Sequence, residues 1–299
     1  MPWPGDVARA RDAAEPERVE LPFVTNRVLE EGAGDKVKFT TEAGETTGGR
    51  CLLSVYELPD AEVVVETLET RSVDATLDGL TPGATGRVTL YVHGYNIGLE
   101  RACHDAAVLA RRTGPAGHVL LFSWPASRTI VTYHKDARRL AESMDQILAV
   151  LDELGRRYGR ANVNVVAHSM GSRIVLEAIE TLDDADGQFG ELVLIAPDID
   201  REVFLEALPD LKRFVADITV LVSDKDRLLL LSQTVNLGAR LGQSDGVDID
   251  GVDIIDVTEA GDAGFGGHVY HLTNENVGRI IGGILEGRAR SDSPSPSGE

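Results

Sequence analysis

The chain has 299 residues, 42% of them apolar, enough for one large α/β domain with a sheet buried on both faces. Its formal net charge of −20, from 49 acidic against 29 basic residues, argues against nucleic acid or anionic lipid as a partner, because both need concentrated Lys and Arg. No run approaches the roughly 18–20 apolar residues of a membrane span, so no stable membrane insertion is expected, and the opening Met1-Pro2-Trp3-Pro4-Gly5-Asp6 lacks the basic-then-apolar order of a secretion signal.

Residues 1–18 are polar and rich in Pro, Ala and Glu, which predicts a loose arm. A single domain is expected over 19–287, followed by a disordered Ser- and Pro-rich tail over 288–299. From about 20 to 85, short β runs (Phe23–Thr25, Val37–Thr40, Cys51–Val55 and Val63–Val65) alternate with Gly-rich and acidic turns. They read as the antiparallel start of a mixed sheet. Strand and helix then alternate: strand Val88–Val92, helix Glu100–Arg112, strand Val119–Ser123, and an amphipathic helix over Asp136–Tyr158 with Leu140, Met144, Leu148, Leu151 and Leu154 on one face. Strand Val163–Val166 and its helix through Ile174–Ile179 follow, then strand Leu192–Ala196, helix Arg201–Leu208, strand Ile218–Val222, strand Val252–Val257 and helix Asn274–Gly287. This order predicts an α/β fold whose mostly parallel sheet carries helices on both faces. Its reactive groups then belong just past the carboxyl ends of the strands. Cys51 and Cys103 fit no metal spacing and read as buried free thiols, which suits a reducing cytoplasm.

At one of those strand ends stands Ala167-His168-Ser169-Met170-Gly171, between an apolar strand and a helix. A strand that turns sharply through x-Ser-x into a helix is the sequence form of a nucleophile elbow, with small residues flanking the serine. Here the first small position is Ala167 where glycine is usual. A serine hydroxyl needs a base in reach, and the base needs a carboxylate to orient it. In the order Ser, acid, His, only His268 and His271 lie downstream of every acid candidate. His268 is preferred, because Gly266-Gly267 gives its loop freedom to reach over the sheet edge, while His271 adjoins the last helix and can cap or pack there. For the acid, Asp226 in Ser223-Asp224-Lys225-Asp226-Arg227 ranks first, Asp198 in Ala196-Pro197-Asp198 second and Asp224 third. An Asp after a strand is also a common helix cap. An oxyanion needs backbone N–H donors: Met170 at the elbow, and Tyr95 or Asn96 in the loop His93-Gly94-Tyr95-Asn96, where Gly94 permits close approach. His168 either lines the pocket or packs beneath it, and His93 orders the oxyanion loop. His104 and His134 read as helix surface or packing residues, and His118 as the start of a strand. No metal-ligand spacing, Ca²⁺ loop or nucleotide-binding glycine motif is present, so no cofactor is expected.

These residues resemble the alpha/beta-hydrolases of the domain-of-unknown-function-900 group, distant relatives of esterases and lipases. The resemblance rests on Phe23-Val24-Thr25-Asn26-Arg27, Tyr91-Val92-His93-Gly94-Tyr95-Asn96, Phe122-Ser123-Trp124-Pro125, Ala167–Gly171, Ala196-Pro197-Asp198 and Gly267-His268-Val269-Tyr270, and covers about 20–285. It implies Ser169 as nucleophile, His268 as base and, through Ser223-Asp224-Lys225-Asp226-Arg227-Leu228, Asp226 as acid. Tyr133-His134-Lys135-Asp136 resembles a Tyr-x-x-Asp motif of structural or pocket-lining role, and Val269 stands where the group commonly has Ser. The expected activity is cleavage of a small-molecule carboxylic ester, or a related acyl bond, through an acyl-serine. A non-catalytic hydrolase-fold scaffold, and an amidase or peptidase with the same triad, are the alternatives. Trp124–Tyr133 is the candidate cap, with Trp124 either lining an acyl pocket or simply buried. Acyl chain length and oligomeric state are not legible.

Overall fold

The structure, a computed structural model, describes residues 15–30, 37–56, 62–83, 85–114, 118–127, 138–182, 187–236, 239–244, 248–259 and 264–288. Most of the expected arm, tail and cap, with Tyr133–Asp136, lies outside the described residues. Among the described residues nine strands form one sheet: β1 (Glu17–Leu29), β2 (Phe39–Tyr56), β3 (Glu62–Arg71), β4 (Val88–Val92), β5 (His118–Ser123), β6 (Val163–His168), β7 (Phe189–Ile195), β8 (Val215–Val222) and β9 (Asp253–Asp256), in the order β3-β2-β1-β5-β4-β6-β7-β8-β9. The β1–β2 and β2–β3 pairs are antiparallel, and every other pair is parallel.

The helices that connect or cover the strands include α1 (Val73–Asp78), α2 (Leu99–Thr113), α3 (Met144–Tyr158), α4 (Gly171–Glu180), α5 (Arg201–Phe214), α6 (Arg227–Asn236), α7 (Tyr270–Thr273) and α8 (Glu275–Leu285), with a helical turn at 138–141 before α3. Strands β4, β6 and β7 are buried along their whole length, as a parallel sheet between two helix layers must be. Alternate side chains feed two cores. Val88, Leu90, Val165 and Leu192 pack with Ile147, Leu151, Ile174 and Phe204 of α3, α4 and α5. Tyr91, Val166 and Val193 pack with Ala102, Ala106, Val277 and Ile281 of α2 and α8. Each large apolar side chain so buried contributes about 1.5–3 kcal/mol.

The structure departs from the sequence reading in several places. The end of the run Val37–Thr40, from Phe39, and the run Cys51–Val55 belong to one 18-residue strand, β2. Its glycines serve close packing: a Cβ at Gly48 would run into Thr76 Oγ1, and one at Gly49 into the Glu69 carbonyl. The helix expected to stop at Leu208 continues through Pro209 to Phe214, since a proline removes one helical hydrogen bond without ending a well-packed helix. The long helix expected from Asp136 breaks before Met144. There Ser143 Oγ donates to the Arg139 carbonyl at 2.8 Å and accepts from Asn26 Nδ2 at 2.8 Å.

The cysteines are buried as expected but not free: Cys51 of β2 and Cys103 of α2 form a disulfide across 52 residues. Each lies in the core between α2 and the sheet, a proximity created by tertiary packing and invisible in their spacing. The argument for a reducing cytoplasm rested on free thiols and falls with them. No helix of the described residues is long and apolar enough to cross a membrane.

Candidate active site

At the carboxyl end of β6 the chain reverses into α4 through Ser169, held at φ 53°. That left-handed conformation costs a non-glycine residue about 1–3 kcal/mol, and the surroundings hold it by hydrogen bonds. Ser169 N–H donates to the Ile195 carbonyl at 3.0 Å, and the Ser169 carbonyl accepts from Asp198 N–H at 3.2 Å and Ser172 N–H at 3.1 Å. The tight turn explains its small neighbours. Ala167 is fully buried, and a Cβ on Gly171 would run into the His93 carbonyl.

The structure brings three of the predicted side chains together. Ser169 Oγ–H donates to His268 Nε2 at 2.8 Å, and His268 Nδ1–H donates to Asp226 Oδ2 at 2.6 Å. Ser169 is 3% exposed, His268 6% and Asp226 1%, so water competes little for these bonds. His268 follows Gly266 and Gly267, at φ 72° and 81°, and a Cβ on Gly267 would run into the Lys225 carbonyl. That glycine lets the loop that carries His268 close against the loop that carries Asp226. Asp226 also caps α6, its Oδ1 accepting from Leu228 N–H at 3.1 Å and Leu229 N–H at 3.0 Å.

The two lower-ranked acids stand apart from His268. Asp198 is buried in an ion-pair cluster with Arg173 Nη2 at 3.1 Å and Arg240 Nε at 3.5 Å, and accepts from Ser232 Oγ at 2.6 Å. Asp224 is exposed, its N–H donating to Thr258 Oγ1 at 2.9 Å. His271 packs, fully buried, 4.4 Å from the His168 ring, and burial, then His268 and Arg112, lower it to about 3.

The loop after β4 is tied from behind. His93 Nδ1–H donates to the Gly94 carbonyl at 2.6 Å, which leaves Nε2 to accept from Ser123 Oγ at 3.0 Å. Burial, then Arg27, lower His93 to about 3, so it stays neutral. Arg27 Nε donates to Ser123 Oγ at 3.1 Å, and its terminal nitrogens donate to the carbonyls of Ile97 at 2.7 Å and Ala126 at 3.2 Å. Trp124 stacks on His93 with ring centroids 5.5 Å apart and donates Nε1–H to the His93 carbonyl at 2.8 Å. Trp124 has no exposed surface and braces this loop. Gly94 passes close to the elbow: a Cβ there would lie 3.0 Å from Ser169 Cβ. Asn96, at φ 62°, turns the same loop toward α2, and Met170 is buried at the start of α4. Sequence reading assigns no role to Arg27 or Ser123. The available signal is an arginine inside the apolar strand Phe23–Arg27, where a buried charge demands many acceptors.

No curated protein matches this chain in sequence. Among solved structures, an esterase of Pyrobaculum calidifontis is similar at 14% identity and a TM-score of 0.43, over 95% of this chain and 89% of that one. A cold-adapted esterase from an Arctic intertidal metagenomic library is similar at 15% identity and a TM-score of 0.44, over 96% and 99%. A model of the family described as alpha/beta hydrolase of unknown function (DUF900) matches residues 70–284, from the end of β3 to the last helix. The chain belongs to that alpha/beta-hydrolase family.

Proposed function

We propose that this chain is a serine hydrolase that cleaves a carboxylic ester, or a related acyl bond, of a small molecule through an acyl-Ser169 intermediate. The observation that carries the reading is the hydrogen-bonded run from Ser169 Oγ through His268 to Asp226, on a turn held at positive φ. As Oγ attacks the acyl carbon, His268 Nε2 takes its proton and Asp226 stabilises the imidazolium. The tetrahedral oxyanion is received by the N–H of Met170 and that of Tyr95 or Asn96, each such donor being worth roughly 10²–10³ in rate. Collapse expels the alcohol, which leaves with the proton from Nε2. Water then repeats the sequence on the acyl-enzyme, returning the acid and free Ser169.

Intact-mass labelling with a fluorophosphonate tests this reading. One adduct on wild type and none on Ser169→Ala is the expected result. An unlabelled, folded wild type would favour a scaffold that no longer turns over, and an adduct that survives Ser169→Ala would name another nucleophile. Esters and amides share the acyl-enzyme, so turnover of matched ester and anilide substrates separates an esterase from an amidase. We expect the ester to be favoured.

A further inference from the structure

The elbow carries a histidine that the triad does not use. His168 ends β6, one residue before Ser169, and is 3% exposed. Its Nε2 lies 3.0 Å from the His268 carbonyl oxygen. A carbonyl only accepts, so Nε2 carries the proton and donates it. The same imidazole packs against the ring of His268, centroids 4.8 Å apart and tilted by 47°, and against that of His271 at 4.4 Å. Its Nδ1 faces the oxyanion loop, where a Cβ on Gly94 would approach it to 3.0 Å. One side chain on a buried strand thus meets the main chain of the base, the ring of the base and the glycine of the loop after β4.

The base needs such a tie. Before His268 stands a single 3-10 turn, Gly264–Gly267, whose last two glycines are at positive φ, and α7 begins only at Tyr270, so the short stretch around His268 belongs to no longer element. The triad distance therefore depends on what fixes the His268 backbone from outside its loop. Burial, then the charges of His271 and His268, hold His168 neutral well below the usual histidine range, so its hydrogen-bonding state stays constant while His268 gains and loses a proton.

The geometry points to His168 as a positioning residue for the base: its Nε2–H, given to the His268 carbonyl, holds the imidazole of His268 where it accepts the proton of Ser169. This rests on the serine-hydrolase reading above. It assigns the elbow's variable position to the placement of the base and leaves the acyl group to other residues.

Gln and Met have the same chain length, and Gln keeps a terminal N–H donor that Met lacks, so His168→Gln and His168→Met form the matched test. His168→Phe, which keeps a ring without a donor, is the third variant. Each is checked for folding by circular dichroism and thermal melting, then for fluorophosphonate labelling rate and for kcat and KM on p-nitrophenyl acetate. Misplacing a reacting group by about 1 Å costs up to ~10²-fold. Met and Phe should therefore lower labelling and kcat by roughly 10- to 100-fold with KM within about twofold, and Gln should recover most of the loss. If Met does not fold, Phe against Gln carries the same comparison. Rates within about twofold of wild type in all three, or Gln no better than Met or Phe, would overturn the assignment. A wild type that takes no label overturns the hydrolase reading itself, and this inference with it.

Discussion

At the scale of single residues, Asp226 and Asp198 show how one residue type at equivalent strand ends takes different work. Asp226 caps α6 with one oxygen and holds His268 with the other, whereas Asp198 is enclosed by Arg173, Arg240 and Ser232. Asn can cap a helix as well as Asp but cannot hold a histidine in the productive tautomer, a change that costs about 10⁴ in rate where it has been made in such triads. Asp226→Asn is thus expected to melt within a few degrees of wild type while its fluorophosphonate labelling falls by ~10³-fold or more. Asp198→Asn leaves two arginines facing a neutral group, which costs about 3 kcal/mol, yet it should label at the wild-type rate wherever it is folded. The reverse pattern in melting and labelling would transfer the acid role to Asp198. The sequence picks out Ser169, His268 and Asp226, the three side chains that hydrogen bonds join in the structure, because elbow, glycine loop and strand end are local patterns. It did not carry the double duty of Asp226, since α6, the helix it caps, was not recognised. Arg227-Leu228-Leu229-Leu230-Leu231 has no polar stripe to mark a helical period.

At the scale of elements, the parallel half of the sheet was legible and the antiparallel half less so. Strands β4 to β8 are short, apolar and separated by helices of clear period, so local composition locates them to within a few residues. In β2, Gly48 and Gly49 look like a turn but stand where α1 and β3 press on the strand, a reason found only in the third dimension. The disulfide is the same kind of case, joining β2 to α2 over a 52-residue separation. Closing a loop of that length in the unfolded chain corresponds to roughly 4 kcal/mol in the chain-entropy account, and buried disulfides commonly deliver 2–4 kcal/mol. Cys51→Ala/Cys103→Ala should therefore melt about 5 °C lower, allowing for a chain of this size. Its labelling at 25 °C should match wild type, because the bridge touches none of Ser169, His268 or Asp226. A non-reducing mass two hydrogen atoms below the reduced mass is the accompanying check. Equal masses before and after reduction would remove the bridge from this description.

At the scale of the whole molecule, the charge of −20 draws attention to the carboxylates, but the histidines buried around the site also bear on acid stability. His93 and His271 are lowered to about 3, and His168 lies well below its usual range, with burial the first cause in each. In the unfolded chain each titrates near 6.5. The folded state therefore binds fewer protons than the unfolded state in the window from about 6.5 down to about 3. Stability is complete above 6.5 and is lost as the pH falls through that window, by about 1.4 kcal/mol per pH unit for each histidine once well below 6.5. Three together give a slope of about 4 kcal/mol per pH unit, enough to consume an ordinary domain stability of ~5–15 kcal/mol between about pH 5 and pH 3. Urea midpoints measured from pH 7.5 to pH 4.5 should fall with an uptake of close to three protons, and His271→Phe should lower that uptake by one. A midpoint flat between pH 7 and pH 5 would mean that these rings are protonated in the folded state. The arrangement of three imidazoles around the elbow would then have to be rebuilt around buried charge. A steep slope that His271→Phe relieves would tie the acid limit of the fold to the cluster of buried imidazoles beside Ser169.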